Sequence, residues 1–137
     1  MDVQSMIEYI VALLASDATL TSTGVTGVYD TEAPRHAQWP FVLVYESGNS
    51  TIRGVSGNVI MTNALIGVRV VHMTESSHAL VSSAQRIDDL LTAVSTSTDD
   101  LVTIDASRES ELKRAYTLDG RPIRELGALY RCFGRKR

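Results

Sequence analysis

Residues 58–95 have the sequence NVIMTNALIGVRVVHMTESSHALVSSAQRIDDLLTAVS, and this stretch combines the pattern of a long strand with that of a long helix. In its first half apolar residues alternate, as they do in a strand whose successive side chains point to opposite faces. One face is shared by seven residues: Ile60, Thr62, Ala64, Ile66, Val68, Val70 and His72. Both faces are largely apolar towards the end of the run. The pattern predicts a strand in the middle of a sheet that is covered by helices.

The second half of the stretch has the period of a helix. Its apolar stripe consists of Leu80, Ala84, Ile87, Leu91 and Val94, with Val81 and Leu90 widening it. Thr74 or Ser76 can cap this helix, and Glu75 stands where the helix dipole favours an acid. We therefore expect two or three residues between strand and helix, and a helix that folds back over the sheet.

The chain before this stretch predicts one long helix and two strands. An amphipathic helix is marked by Val3, Met6, Ile7, Ile10, Leu13 and Leu14. Residues 17–20 look like a cap and a short second turn of helix, and residues 28–29 like a short strand. The β-branched and aromatic run at residues 41–45 predicts a longer strand. Pro34 and Pro40 bracket the loop before it, because proline interrupts both helices and strand pairing.

Residues 46–58 form a polar connection that contains Gly48, Gly54 and Gly57. Loops of about a dozen residues are uncommon in compact domains, and they are often functional or ordered only by a partner. A plain mobile hairpin is the alternative interpretation. We expect a long polar hairpin here, and we treat it as a candidate contact surface.

The C-terminal part predicts further strands of unequal strength. Residues 101–106 alternate weakly, residues 115–118 extend a strand up to the Asp119-Gly turn, and residues 124–133 alternate clearly. The charged residues 109–114 are ambiguous. The whole pattern predicts an α+β fold with a mixed or antiparallel sheet of about four to six strands. Two long helices should pack on one face of that sheet, with the polar hairpin added.

Composition bounds the class of protein. The chain has 137 residues, of which 44% are hydrophobic, so we expect a single domain spanning residues 1–137. The net charge of −3 provides no global basic field for binding nucleic acid. A single cysteine, Cys132, excludes an intrachain disulfide and suits a reducing cytoplasm. The apolar run at residues 10–15 is too short for a membrane span, so we expect a soluble protein.

No group of residues has the spacing of a catalytic or metal site. His72 and His78 flank Glu75, but their spacing does not suit helical zinc ligands and no further ligand is near. Cys132 lies on an apolar strand face, where a free cysteine is more often a core residue than a nucleophile. The glycines occur singly, so no phosphate-binding loop is present. We therefore expect no enzymatic activity, no cofactor and no metal.

Several local sequences, in a fixed order, carry a resemblance to a known family. They are LLASDATL at 13–20, GVY at 27–29, AP at 33–34, WPFVLVY at 39–45, the strand at 64–73, Glu75, AQRIDDLL at 84–91 and YRCF at 130–133. Taken together, the chain resembles the tail-terminator or tail-completion proteins of long-tailed bacteriophages. The resemblance spans nearly the whole chain and rests on the order and spacing of the segments.

The resemblance implies a structural protein of the virion, assembled in the host cytoplasm. Members of the family are not enzymes. They form a hexameric ring on the head-proximal end of the tail tube, stop tube polymerisation and present a surface to the neck. The partners implied are further copies of the chain, the tail tube protein and the head-tail connector. Two alternatives are another head-tail connector (neck) protein and a small α+β ligand-binding or regulatory domain.

Two segments are the candidate assembly interface. The hairpin and the basic C-terminus supply Asn49, Ser50, Thr51, Ile52, Arg53, Gly54, Val55, Ser56, Arg131, Arg135, Lys136 and Arg137. A solvated basic end is the default interpretation of the last four residues, and contact with an acidic neighbour is the sharper one. Arginines elsewhere are expected to pair with acids of the next subunit. That prediction covers Arg53, Arg69, Arg121 and Arg124, with Asp30, Glu32, Asp99 or Asp100 as partners.

Overall fold

The computed structural model describes residues 3–53, 57, 59–93, 95–96 and 103–135. Its helices are α1 (Val3–Ala15), α2 (Ala18–Ser22) and α3 (Val81–Thr92), and a 3₁₀ turn, Ser77–Leu80, leads into α3. Its strands are β1 (Val28–Asp30), β2 (Phe41–Arg53), β3 (Val59–His72), β4 (Ser95–Thr96), β5 (Thr103–Leu118) and β6 (Arg121–Arg135).

The strands form one mixed sheet in the order β1-β2-β3-β6-β5-β4. β1 is parallel to β2, and every other neighbouring pair is antiparallel. The strand predicted to be central, β3, lies between β2 and β6. The predicted α+β class is confirmed.

Both long helices pack on the same face of the sheet, as predicted. α1 contributes Met6, Ile7, Ile10 and Leu14 to the core, and α3 contributes Ile87 and Leu91. The sheet side of this core is apolar and comes from three strands: Val42, Val44, Ala64, Ile66, Val68, Val70, Leu126, Ala128, Tyr130 and Cys132. We call this the helix-side face of the sheet. Burial of its apolar side chains is the main stabilising term of the fold.

The apolar stripe of α3 differs from the prediction at its edges. Val81 is 46% exposed, whereas Ser83 is buried and its hydroxyl lies 2.8 Å from that of Thr23. The stripe therefore widens on the Ser83 side, which faces α2. A polar residue was overlooked there because a hydroxyl that finds a hydrogen-bond partner can be buried at little cost.

The other face of the sheet, which we call the open face, is covered at one end only by the residues that the structure describes. Phe41, Leu43, Val71 and Ile123 form a second small core there, and the loop between β1 and β2 packs on it. The ring of Trp39 from that loop stacks on Phe41 at a centroid distance of 5.0 Å.

Two strands are longer than predicted. Residues 48–53 were expected in a connection, yet they pair with β3, with a register shift between Glu46 and Gly48. The hairpin is therefore a paired β2–β3 ladder, whose connecting residues 54–56 and 58 lie outside the described part. β5 includes the ambiguous residues 109–114. A turn of two residues joins it to β6, with φ of 51° at Asp119 and 74° at Gly120, as the Asp-Gly sequence predicts.

Candidate assembly interface

The structure separates the predicted interface residues into two places. Asn49, Ser50, Thr51, Ile52 and Arg53 lie on β2, opposite the first residues of β3. Arg131 and Arg135 lie on β6, at the far end from the turn. Five further predicted residues lie outside the described residues: Gly54, Val55, Ser56, Lys136 and Arg137. β3 separates β2 from β6, so the two groups are not one patch.

Arg131 is engaged within its own chain on the open face. Its Nη2 donates to both carboxylate oxygens of Glu109 at 3.1 and 3.0 Å, and its Nη1 donates to the amide oxygen of Asn63 at 3.1 Å. These three residues form a polar row across β3, β6 and β5. A planar guanidinium suits this recognition of a carboxylate. Arg131 thus has partners before any second subunit is added.

A second polar row crosses the same face nearer the turn. The Glu125 side chain on β6 is only 4% exposed, and its Oε1 lies 3.0 Å from Nε of Arg69, without the alignment of a hydrogen bond. Its Oε2 lies 3.5 Å from Nη1 of Arg114 on β5. Arg69 thus has a carboxylate partner within its own chain, whereas the sequence predicted an acid of the next subunit.

Two tyrosines flank this Glu125 row. The Arg69 guanidinium lies 4.8 Å from the ring centroid of Tyr45, and that of Arg114 lies 5.3 Å from the ring centroid of Tyr116. Partial burial raises the pKa of both phenols, and the neighbouring Glu125 carboxylate also raises the pKa of Tyr116. Such contacts between guanidinium groups and aromatic faces are attractive, more so when water is excluded.

Two glycines provide space beneath the Glu125 row and the rings beside it. A side chain at Gly67 would collide with the Tyr45 ring, and one at Gly127 would collide with the backbone of Val68 and Arg69. The backbones of β3 and β6 can therefore approach closely beneath the aromatic and guanidinium groups. The sequence showed both glycines, but nothing in it indicated what they accommodate.

The helix side has its own polar contact beside α3. Asp88 Oδ1 accepts a hydrogen bond from the Tyr130 hydroxyl at 2.9 Å, and Nη1 of Arg108 lies 3.9 Å from the same oxygen. Burial and this carboxylate raise the pKa of Tyr130. A cavity of about 180 Å³ lies here, lined by Val81, Ala84, Gln85, Asp88, Arg108, Glu111, Leu126, Gly127, Ala128 and Tyr130.

The single cysteine lies in the hydrophobic core, and the described part of the chain contains no cluster of metal ligands. Cys132 is fully buried, and burial raises the pKa of its thiol to about 12, so it stays protonated at neutral pH. Within the described residues no group of three or more histidine, cysteine or acidic side chains could hold a metal ion. In the same part of the chain, each helix is too short or too polar to cross a bilayer.

Both outer strands of the long ladder have open edges. β5 is paired on its outer side only at Ile104 and Asp105, and β2 only at residues 42–44, within the described part of the chain. Unpaired N–H and C=O groups along a strand are a template for another strand. The sequence did not show which strands would lie at the edges, because strand order depends on contacts far apart in the chain.

No protein-family model matches this sequence, and a search of curated proteins finds no match. Among solved structures, one similar chain belongs to a structure described as "Virion of native gene transfer agent (GTA) particle". The TM-score is 0.67 at 17% identity, and the match covers 92% of this chain and 91% of that chain. At this identity the similarity establishes a shared fold.

Proposed function

We propose that this chain is a structural protein of a long-tailed phage or phage-like particle, and that it acts as the tail terminator. In this role a ring of six copies caps the head-proximal end of the tail tube, stops its polymerisation and joins the tail to the neck. The observation that carries the proposal is the fold similarity to a chain of a gene transfer agent virion. That similarity covers nearly the full length of both chains.

The sequence resemblance supports the same role independently. The segments that resemble tail terminators include the WPFVLVY run, whose last five residues form the start of β2, and the YRCF run, which lies in β6. The AQRIDDLL segment lies in α3. The matching segments are thus the central strands and the covering helix, so the resemblance concerns the framework of the domain rather than one loop.

The surface of the domain also suits a subunit of an assembly. One sheet face is covered by helices, while the other carries two rows of polar groups and the partly exposed rings of Tyr116 and Phe133. Open strand edges flank these rows. A ring requires two different surfaces on each copy, because head-to-tail contacts are heterologous.

The ligand-binding alternative predicts a pocket of adequate size. Two cavities in the described part of the chain have volumes of about 180 and 210 Å³. Pockets for small ligands usually have volumes of about 300–1,000 Å³. The fold similarity is equally compatible with the neck-protein alternative. The two roles differ in the position of the ring, which a terminator places on the end of the tail tube.

The test is assembly of tail tubes from the tail tube protein of the same particle. Tube protein alone should give long tubes of variable length, since nothing ends their growth. Adding this protein should shorten the tubes and place one ring on one end, as seen by negative-stain electron microscopy. Tubes that keep the same lengths and bare ends would overturn the proposal.

The proposal includes a ring that lets DNA pass without gripping it. A strongly basic lining would bind phosphates and retard the genome, whereas the net charge of this chain is −3. We expect the purified protein to show no binding to duplex DNA below about 10 µM at physiological salt, where non-specific binders reach roughly 1–100 µM. Tighter binding that weakens steeply with added salt would contradict this part.

A further inference from the structure

The outer edge of β5 is open over most of its length. β4 pairs with Ile104 and Asp105, and in the described part of the chain residues 106–118 have a strand partner only on the β6 side. Nearly all side chains of this segment are exposed. A strand of this length with free backbone groups on one side offers pairing to another chain.

The outer edge of β2 is open at its opposite end. β1 pairs with residues 42–44, and in the described part of the chain residues 45–53 pair only with β3. On this outer side, the Val42 N–H donates to the Gly27 carbonyl at 2.9 Å and the Val44 carbonyl accepts from the Thr31 N–H at 2.8 Å. The covered part of β2 therefore ends just after Val44.

The direction of the free backbone groups follows from the register. A two-residue turn makes its flanking residues, Leu118 and Arg121, a hydrogen-bonded pair. Because bonded and non-bonded pairs alternate in an antiparallel ladder, the N–H and C=O groups of Thr117, Ala115 and Lys113 point away from β6.

On β2 the backbone N–H and C=O groups of Val42 and Val44 point away from β3. This alternation of backbone direction continues to Glu46 and, past the register shift, to Asn49. Glu46 lies opposite Ile66 and Asn49 opposite Ala64, two positions apart on β3. The free groups of Glu46 and Asn49 thus point outward as well.

The two edges agree in direction and in face. The strands β2, β3, β6 and β5 alternate in direction, so β5 runs opposite to β2. Rotation about a ring axis keeps the strand direction along that axis, so β5 meets the next copy's β2 antiparallel. The outward-bonding residues Ala115 and Asn49 both have side chains on the helix-side face, because they lie opposite Arg124 and Ala64. Antiparallel partners share a face, which places the helices of adjacent copies on one side.

The short edge strands make the two edges stepped. β4 covers the Thr103 end of β5, while β1 covers the Phe41 end of β2, and these two ends lie at opposite ends of the sheet. When the free part of β5 lies beside the free part of β2 in the next copy, β4 and β1 stand above and below the joint. The stagger tilts the strands relative to the ring axis, as in closed barrels.

From this geometry we propose that β5 of one copy pairs antiparallel with β2 of the next copy, and that this contact closes the ring. The proposal rests on the proposed function for the ring and adds how the copies join. In the register that places Asn49 opposite Lys113, Glu46 faces Ala115, and its exposed carboxylate lies diagonal to Lys113 on the helix-side face. Opposite charges across paired strands stabilise the pairing.

Charged side chains and a register shift protect part of the β5 edge against indiscriminate pairing. β5 has a register shift in its pairing with β6 between Arg108 and Ser110, and the charged residues Glu111 and Lys113 follow this shift. Bulges and charged side chains are the usual protection of an edge strand. Residues 115–118 carry no charge, and Leu118 is 56% exposed. The unprotected part of the edge is therefore short and lies next to the turn.

Cysteine cross-linking tests the pairing. Asn49→Cys is combined in turn with Lys113→Cys, Ala115→Cys and Thr117→Cys, and the protein is oxidised with diamide, with and without tail tubes. Directly opposite residues in a bonded pair have Cα atoms about 5.5 Å apart, within reach of a disulfide. Buried Cys132, with its raised thiol pKa, does not compete.

One of the three pairs should give a ladder of oligomers, up to six subunits, that reduction removes. The matched control combines Asn49→Cys with Arg114→Cys or Tyr116→Cys, whose side chains lie on the open face and cannot meet it. Equal cross-linking of the control pairs, or no ladder from any helix-side pair, would overturn the pairing.

A backbone variant tests the same contact without cysteines. Ala115→Pro removes an outward N–H that β6 does not use, so the domain should stay folded while assembly is lost. Ala115→Thr keeps the N–H and should assemble like the parent protein. Assembly of Ala115→Pro at the parent level would contradict the pairing.

The outcomes separate the two proposals. Rings that cap tubes without the expected cross-links refute the pairing and leave the terminator role standing. Cross-linked oligomers that leave tube length unchanged refute the terminator role and leave the pairing standing.

Discussion

The two faces of the sheet are built on different principles. The helix-side face is apolar from β2 to β6 and is closed by α1 and α3, so its stability comes from burial of hydrocarbon. The open face has an apolar core at one end only, and beyond it lie ion pairs that hold Glu125 and Glu109. The first face makes the domain fold, and the second leaves polar, directional groups at the surface.

Because of this difference, substitutions on the two faces should have unequal effects on the stability of the domain. A charge placed in the apolar core beneath the helices has no partner there, whereas Glu125 and Glu109 on the open face are already paired. Buried charges without partners are costly, and exposed ones cost little. Substitutions at Ile87, Glu125, Gly127 and Asp17 test this contrast.

Ile87→Asp should prevent stable folding. Ile87 is 2% exposed beneath α3, and a carboxylate there has no partner on the helix-side face. The expected loss exceeds about 4 kcal/mol, a large share of a typical domain's stability. Circular dichroism during urea titration measures it. Val81→Asp on the same helix is the control, because Val81 is 46% exposed. A folded Ile87→Asp variant would show that this face is not closed.

Glu125→Ala should destabilise the domain by about 3 kcal/mol, since it leaves the half-buried Arg69 without its carboxylate. Glu111→Ala on the exposed edge should change stability by less than about 0.5 kcal/mol. Chemical unfolding of both variants gives the comparison. Equal effects would mean that the Glu125 row contributes no more than a solvated surface.

Gly127→Ala should cost about 1–3 kcal/mol, because its Cβ meets the backbone of Val68 and β3 must move away from β6. Gly48→Ala is the matched control, since no atom lies within 4 Å of a Cβ built there. Thermal unfolding distinguishes them. A Gly127→Ala variant as stable as Gly48→Ala would contradict the close approach beneath the open face.

The smallest effect concerns a contact within the helix layer. Asp17 caps α2 through the Leu20 N–H and accepts from Arg86 Nε and Nη2 at 2.9 Å, and this guanidinium lowers the pKa of the Asp17 carboxyl. A lowered folded-state pKa adds stability above the unfolded value of about 3.9, and this is lost as pH falls through the folded value. Asp17→Asn should therefore lower Tm at pH 7 and differ less from the parent at pH 3. A difference that grows on acidification would contradict the pair.

The sequence predicted the helix-side face well because its evidence is local. The alternation in β3 and the stripe of α3 follow directly from the spacing of apolar residues. The alternation is confirmed, and the stripe is confirmed at Leu80, Ile87 and Leu91, while Val81 is exposed and Val94 lies outside the described residues. The Asp119-Gly turn was predicted for the same reason, since two residues determine its backbone.

The open face and the edges were predicted poorly because they depend on distant partners. Residues 109–114 belong to β5 although both their sides are solvated, so the alternation that marks a half-buried strand is missing. Residues 48–53 pair with β3 despite their glycine and polar side chains. Glu125 stands beside Leu126 in the sequence with no sign that two arginines from other strands surround it.

Cryo-electron microscopy of tail-tube ends assembled with this protein would reveal both the ring and the contacts between its subunits. We predict one six-fold ring on one end of each tube, in which β5 of every copy continues into β2 of the next copy. Bare ends, caps on both ends, or a ring of another symmetry would contradict the account.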